Sequence, residues 1–105
     1  MSIKKKIPTS FKLFGSTIKV VFDNKRMNDK EYYGESSYSK LQITLSETSG
    51  VEPLSPHRVM DCFYHEKVHI ILDSMKEHDL SRNERFVDTF AKLLRQSDET
   101  ATFTK

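Results

Sequence analysis

The chemistry that this sequence could perform is concentrated in one short stretch, His65-Glu66-Lys67-Val68-His69, which has the pattern HExxH. On an α-helix, residues four apart lie one above the other, so the imidazoles of His65 and His69 can reach one metal ion. Glu66 follows His65 directly and can hold a water molecule beside that ion. The spacing therefore indicates a zinc site with a carboxylate placed for general-base work.

A zinc site that activates water needs a third protein ligand and one open coordination position. Glu84 lies 15 residues after His69, at the predicted start of the next helix, which leaves enough chain for that helix to double back. Asp88 follows one turn later, where its carboxylate could accept the free N–H of a zinc-bound imidazole and fix its tautomer. We therefore expect His65, His69 and Glu84 as ligands, with Asp88 supporting one of the histidines.

Other assignments of these residues stay open at the level of sequence. Ser81-x-x-Glu84 is also a capping box, in which the Glu84 carboxylate would bond a backbone N–H instead of a metal. Asp73 and His78 are the rival third ligands, because both follow the motif closely. Cys62, although near the motif, is expected to behave as a small buried hydrophobe.

Two helices are predicted to position the candidate ligands. The first is expected over 55–75, with Ser55 as N-cap and Pro56 as the first helical residue, where the missing N–H of proline is harmless. Apolar residues cover most of its circumference, so this helix should be central. The second helix is predicted over 81–96 and is followed by a polar tail over 97–105. Its apolar face is expected to consist of Phe86, Val87, Phe90, Leu93 and Leu94.

The first half of the chain has strand-like patterns, so the expected fold class is α+β. A small antiparallel or mixed sheet of three to four strands is predicted within 11–46. A hairpin is expected around Gly15-Ser16, and a half-buried strand at 41–45, where apolar and polar residues alternate. A further short strand is expected to open at Tyr32-Tyr33 and to end at Gly34. Turn-rich loops are predicted over 24–30 and 48–56.

The arrangement of these residues resembles a known family. His65-Glu66-x-x-His69 followed by Glu84-x-x-x-Asp88 is similar to the pattern of gluzincin metallopeptidases. The stretch 84–94 more closely resembles the ImmA/IrrE-like peptidase domains and small phage- or bacteria-type minimal zincins. The resemblance covers residues 32–96 of the chain. Family patterns usually have uncharged residues inside the motif, and Lys67 is expected on another face of the helix.

The resemblance implies a zincin-like fold, with a small sheet before the HExxH helix, and a zinc-dependent peptidase activity. Zinc would lower the pKa of a bound water, and Glu66 would take its proton as general base. The peptide substrate would pair with a sheet edge, expected at Lys40–Leu45. The donor that stabilises the oxyanion stays open among Tyr32, Tyr33, Tyr38 and His57.

Two other interpretations of the motif are kept. A zincin-like module could bind a protein partner and cut nothing, with its metal structural or absent. Four protein ligands on the zinc, in place of three, would favour that function. The motif could also be accidental in an α+β domain of another kind, because chance produces it on the order of once in a hundred such sequences.

Length and composition limit the remaining classes of function. The chain has 105 residues, which suffices for one domain, and only 36% of them are hydrophobic, so the core should be thin. A zinc that joins the two helices would add its binding energy to folding. The net charge of +2 gives no reason to expect nucleic acid or an anionic membrane as a partner.

Targeting signals and cysteine content lead to an expected location. Lys4–Lys6 is followed by Ile7-Pro8 and not by an apolar run, so no secretory signal is expected. The sequence also lacks the roughly 18 consecutive apolar residues that a membrane-spanning helix requires. Cys62 is the single cysteine and fits a reducing compartment. The expected location is the cytoplasm.

Overall fold

The computed structural model describes residues 6–104, which form an α+β fold built on a four-stranded sheet, as the sequence predicts. The strand order is β1-β2-β4-β3, and β2 pairs antiparallel with β1 but parallel with β4, so the sheet is mixed. β3 pairs antiparallel with β4 and forms one edge. The strands are β1 (Ser10–Leu13), β2 (Ser16–Phe22), β3 (Gly34–Ser37) and β4 (Gln42–Leu45).

The predicted hairpin near the start of the chain is confirmed, with Phe14 and Gly15 as its two-residue loop between β1 and β2. Both loop residues have positive φ, 51° for Phe14 and 81° for Gly15. This is the conformation of a type I′ turn, whose backbone twist matches that of the paired strands. The turn therefore sets the register of the first strand pair.

The segment predicted as a loop over 24–30 is instead a short helix, α1 (Asn24–Asp29). The Asp23 carboxylate accepts a hydrogen bond from the Arg26 backbone N–H at 3.0 Å, which satisfies a free donor of the first turn. Met27 is completely buried and anchors the helix on the sheet. The prediction failed because a single apolar residue creates no helical periodicity. This connection lets the chain return so that β4 lies parallel to β2.

Two predictions about the strands near the site are wrong. The short strand begins at Gly34 instead of ending there, and the predicted edge at Lys40–Leu45 is interior, because β4 lies between β2 and β3. The open edge on this side is β3. The predicted loop over 48–56 also contains a small hairpin of β5 (Thr48–Ser49) and β6 (Glu52–Pro53).

The central helix, α2 (Pro56–Ser74), begins where the sequence predicts. The Ser55 hydroxyl accepts a hydrogen bond from the Arg58 backbone N–H at 3.1 Å, which confirms Ser55 as the N-cap. Every residue from Val59 onward in α2 is buried or half-buried, because the sheet packs on one side and a second long helix on another. The buried residues of α2 are Val59, Phe63, Tyr64, Val68, Ile70 and Leu72.

The second predicted helix has different ends in the structure. A four-residue helix, α3 (His78–Ser81), precedes the long helix α4 (Glu84–Thr100). The Asn83 side chain, and not Ser81, caps α4 by accepting a hydrogen bond from the Phe86 backbone N–H at 3.1 Å. The capping box is therefore wrong, and the tail predicted from Ser97 starts four residues too early because α4 continues to Thr100.

The predicted apolar face of α4 is divided in the structure. Val87 and Ala91 are buried against the core, and Leu94 is half-buried. By contrast, Phe86, Phe90 and Leu93 remain 37%, 43% and 59% exposed. Only one side of that broad apolar stripe faces α2.

The remaining parts of the chain add little to the site. Ala101–Thr104 is exposed and irregular after α4. Lys4 and Lys5 of the basic cluster, together with Lys105, lie outside the described residues. Within 6–104, no helix combines the length and apolar character needed to cross a bilayer.

Candidate metal centre

Three side chains from two helices meet at one point beside the sheet. His65 and His69 come from consecutive turns of α2, and Glu84 comes from the first turn of α4. The two imidazole Nε2 atoms are 3.2 Å apart, and each lies 3.3 Å from a Glu84 carboxylate oxygen. Among residues 6–104, they form the one group of three or more potential ligands whose atoms all lie within 4.8 Å.

These separations fit a tetrahedral zinc site. With zinc–ligand distances of about 2.0–2.1 Å, two ligand atoms of a tetrahedron lie about 3.3–3.4 Å apart. The 3.2 Å between the two Nε2 atoms is close to that edge length. The carboxylate of Glu84 spans the pair, with Oε2 at 3.3 Å from His65 Nε2 and Oε1 at 3.3 Å from His69 Nε2. Two imidazoles and one carboxylate are also a donor set that zinc accepts, with a fourth position left for water.

The opposite edge of each imidazole ring faces a different residue. His69 Nδ1 lies 3.0 Å from the Ser81 hydroxyl, which is hydrogen-bonding distance. His65 Nδ1 lies 4.0 Å from the Asp88 carboxylate, which is too long for a direct hydrogen bond. The other Asp88 oxygen accepts a hydrogen bond from Lys92 Nζ at 3.0 Å. Asp88 is therefore near its expected partner, although it does not bond to it.

The charge state of His69 suits a metal ligand. Its pKa is lowered, first by burial and then by the neighbouring His65, and these effects outweigh the carboxylates of Glu84 and Asp73 and a hydrogen bond with the Ser81 backbone. The neutral imidazole is consequently favoured at physiological pH, and only a neutral imidazole offers a lone pair to a metal.

Glu66 follows the candidate ligand His65 on α2, and its side chain lies against the edge strand β3. Burial raises the pKa of its carboxyl to about 7, an effect partly offset by hydrogen bonding with Ser36 and reinforced by Glu84 and Glu35. Gly34 in β3 makes room for this side chain. A Cβ atom on Gly34 would lie 3.2 Å from both Glu66 Cγ and Leu45 Cδ2, which is a tight contact.

Some backbone N–H and C=O groups of β3 face the open edge of the sheet. The Tyr33 carbonyl accepts a hydrogen bond from the Ser46 N–H at 3.0 Å, so Tyr33 belongs to a hydrogen-bonded pair of the antiparallel ladder. By the alternation of that ladder, the N–H and C=O groups of Gly34 and Ser36 point away from β4. An extended peptide could pair with this edge next to Glu66.

A cleft of about 360 Å³ opens beside His65 and Glu66. Of the four candidate oxyanion donors, Tyr32 and Tyr33 line this cleft. Tyr38 lies elsewhere, near Lys76. His57 contacts Asp61, with 3.5 Å between Nε2 and Oδ2, and its side chain is 70% exposed. The residues that line the cleft are Glu31, Tyr32, Tyr33, Gly34, Asp61, Cys62, His65, Glu66 and Asp88.

The rival ligands do not join the cluster. His78 Nδ1 and Asp73 Oδ1 lie 3.0 Å apart and pair with each other. Cys62 is half-buried, and burial raises its pKa to about 11, which keeps the thiol neutral. The Lys67 ammonium lies 5.2 Å from the centre of the Phe11 ring, on a face of α2 away from the cluster, as expected.

Three residues around the site have roles that the sequence does not predict. Ser81 was assigned to a helix cap, yet its side chain contacts His69. Gly34 is predicted only as the end of a strand, and Ser36 has no predicted role, although the structure places both against Glu66. Nothing in the local pattern indicates these roles, because each depends on which strand becomes the sheet edge and on how α3 packs.

Comparison of the chain with protein-family models, with curated proteins and with solved structures finds no match. Any assignment of function must therefore come from the chemistry of the site itself.

Proposed function

We propose that this protein is a zinc-dependent metallopeptidase of the gluzincin type. The observation that carries the proposal is the convergence of His65 Nε2, His69 Nε2 and the Glu84 carboxylate at 3.2–3.3 Å, beside the Glu66 carboxylate. His65, His69 and Glu84 would hold the zinc. A small sheet whose edge strand adjoins the HExxH helix supports a zincin-like assignment of the fold.

When bound, zinc would make a coordinated water acidic and would polarise the carbonyl of a substrate. Glu66 is placed to take a proton from that water and to deliver it to the amine that leaves when the peptide bond breaks. The buried position of Glu66 favours such proton exchange near neutral pH. Burial lowers the pKa of His69, so its imidazole stays neutral and offers Nε2 to the metal.

The substrate would bind as an extended strand along β3, which replaces the edge at Lys40–Leu45 that the sequence suggested. Outward-facing backbone groups of Gly34 and Ser36 would hydrogen-bond to it and would select little for its sequence. Tyr32 and Tyr33 are the remaining candidates for oxyanion stabilisation, because both border the cleft. The single cysteine, Cys62, favours a reducing compartment such as the cytoplasm.

The test combines metal analysis with hydrolysis. Protein purified with zinc should contain one zinc per chain, and His65→Ala and His69→Ala should lose it. His57→Ala, a histidine on the same helix but 70% exposed and outside the cluster, is the matched control and should keep its zinc. Elemental analysis of wild-type protein that finds no zinc would contradict the proposal.

Hydrolysis is measured on a library of unstructured peptides. Glu66→Gln should keep the metal and lose cleavage, because the amide cannot take the proton. If the zinc-loaded wild type cleaves nothing and a metal-loaded structure shows four protein ligands, the function is that of a non-catalytic binding module.

A further inference from the structure

Ser81 occupies an unusual place for a serine. It ends the short helix α3, is only 6% exposed, and does not cap α4. Its hydroxyl oxygen lies 3.0 Å from His69 Nδ1 and 3.5 Å from the His69 backbone carbonyl. Both contacts go to one residue, and that residue is a candidate zinc ligand.

Taken together, the two contacts favour one placement of the protons. A hydroxyl has one hydrogen to donate, and a carbonyl can only accept. If the Ser81 hydroxyl donates to the His69 carbonyl, its oxygen accepts a hydrogen bond from Nδ1–H of the His69 ring. Nδ1 then carries the ring proton, and Nε2 carries a lone pair.

That lone pair points at the other ligands. His69 Nε2 is the atom that lies 3.2 Å from His65 Nε2 and 3.3 Å from Glu84. With its proton on Nδ1, His69 turns the Nε2 lone pair toward a Glu84 oxygen 3.3 Å away, and a cation between these two atoms would stabilise the arrangement. The Ser81 contact therefore prepares a site for a positive ion.

We propose that Ser81 is a positioning residue, which holds His69 in the Nδ1–H tautomer and aims Nε2 at the metal. The inference rests on the zinc site proposed above. It assigns to Ser81, for His69, the role that Asp88 was expected to play for His65. Because Ser81 lies three residues before Glu84, the same short segment orients one ligand and supplies another.

The test compares Ser81→Ala with Ser74→Ala. Ser74 is the matched control: its half-buried hydroxyl donates to the Ile70 carbonyl at 2.7 Å and touches no imidazole. Zinc affinity is measured by competition with a chromophoric chelator. Loss of an outer partner of a zinc-bound histidine costs about 10- to 100-fold in metal affinity, so Ser81→Ala should weaken binding by that factor. Ser74→Ala should not change it, and Ser81→Thr, which keeps the hydroxyl, should restore part of the loss.

A second readout needs neither zinc nor a variant. Long-range ¹⁵N–¹H NMR correlations of the metal-free wild type, recorded at pH 8, report which nitrogen of His69 is protonated. We expect protonated Nδ1 and unprotonated Nε2. A wild type with protonated Nε2 overturns the inference, even if Ser81→Ala fails to fold.

The outcomes separate this inference from the proposed function. If His65→Ala loses zinc but Ser81→Ala binds it as tightly as the wild type, the zinc site stands and the role of Ser81 is overturned. If the wild type binds no zinc, the proposed function fails, and the inference fails with it.

Discussion

Replacing Glu66 by glutamine should stabilise the metal-free protein at alkaline pH. Burial raises the pKa of Glu66 to about 7 in the folded chain, against an ordinary value of 4.5. A folded chain with a raised carboxyl pKa binds its proton more tightly than the unfolded chain does. The associated stability is therefore fully present below pH 4.5 and is lost as the pH rises through 7.

The magnitude follows from the shift in pKa. The two pKa values differ by about 2.5, and each unit corresponds to about 1.36 kcal/mol, so the ionised Glu66 costs about 3 kcal/mol of unfolding free energy at pH 8. At pH 5 the cost is about 1 kcal/mol, because the folded chain keeps its proton there. Glutamine is never ionised, so the free energy of unfolding of Glu66→Gln should exceed that of the wild type by these amounts.

The assay is urea unfolding of both proteins in the presence of a chelator, at pH 5 and pH 8. His69 has a lowered pKa and therefore stabilises the fold as the pH rises, which is the opposite trend. That effect is common to both proteins and largely cancels in their difference. Glu52→Gln, in the exposed hairpin of β5 and β6, controls for the change in net charge. A stability difference that is no larger at pH 8 than at pH 5 would refute the reasoning.

Three further predictions concern the metal centre and the edge strand. Chelator should lower the melting temperature of the zinc-loaded protein by roughly 10–20 °C in differential scanning calorimetry. The reason is that zinc at 100 times its Kd adds about 2.7 kcal/mol to the free energy of unfolding. An unchanged melting temperature would contradict this prediction. Glu84→Gln should weaken zinc binding by more than about tenfold in chelator competition, because a neutral amide is a poorer ligand than a carboxylate. Unchanged zinc affinity would remove Glu84 from the ligand set. Gly34→Ala should lower the free energy of unfolding by about 1 kcal/mol in urea, because the added Cβ displaces Glu66. It should also reduce peptide hydrolysis without changing the zinc content. Full activity would show that the contact is relaxed at no cost.

The parts of the site that depend on neighbouring residues could be predicted from sequence. Ser55 and Pro56 mark the start of α2, and helical spacing alone places His65 and His69 on one face. The spacing also predicts that Glu84 lies near the histidines, and the structure confirms this proximity although the helix starts at Glu84 and not at Ser81. Ser81 and Asn83 are both good caps, and local sequence favoured Ser81 because of the capping box. In the structure Asn83 caps α4 and the Ser81 side chain contacts His69, and such a contact is not visible in a local pattern.

The identity of the sheet edge could not be predicted for a different reason. Strand order depends on the connection through α1, which carries β3 to the outside and leaves β4 in the middle. The helix α1 has one side-chain cap and one buried residue, Met27, so its sequence shows no helical periodicity. An error in this short helix therefore changes which strand faces Glu66 and where a substrate could bind.

The division of the α4 surface links the thin core to the candidate metal centre. The side chains that α4 buries against α2 are small, Val87 and Ala91, and its aromatic residues lie outside. Small residues at a helix contact allow the two helices to approach closely. α4 must lie close to α2 for the short side chain of Glu84 to come within 3.3 Å of the two imidazoles on α2. Phenylalanine in place of Val87 or Ala91 would bury more apolar area but would hold the helices too far apart for this contact. The small side chains at this contact and the geometry of the candidate ligands are therefore linked, and a bound zinc would add stability between the two helices.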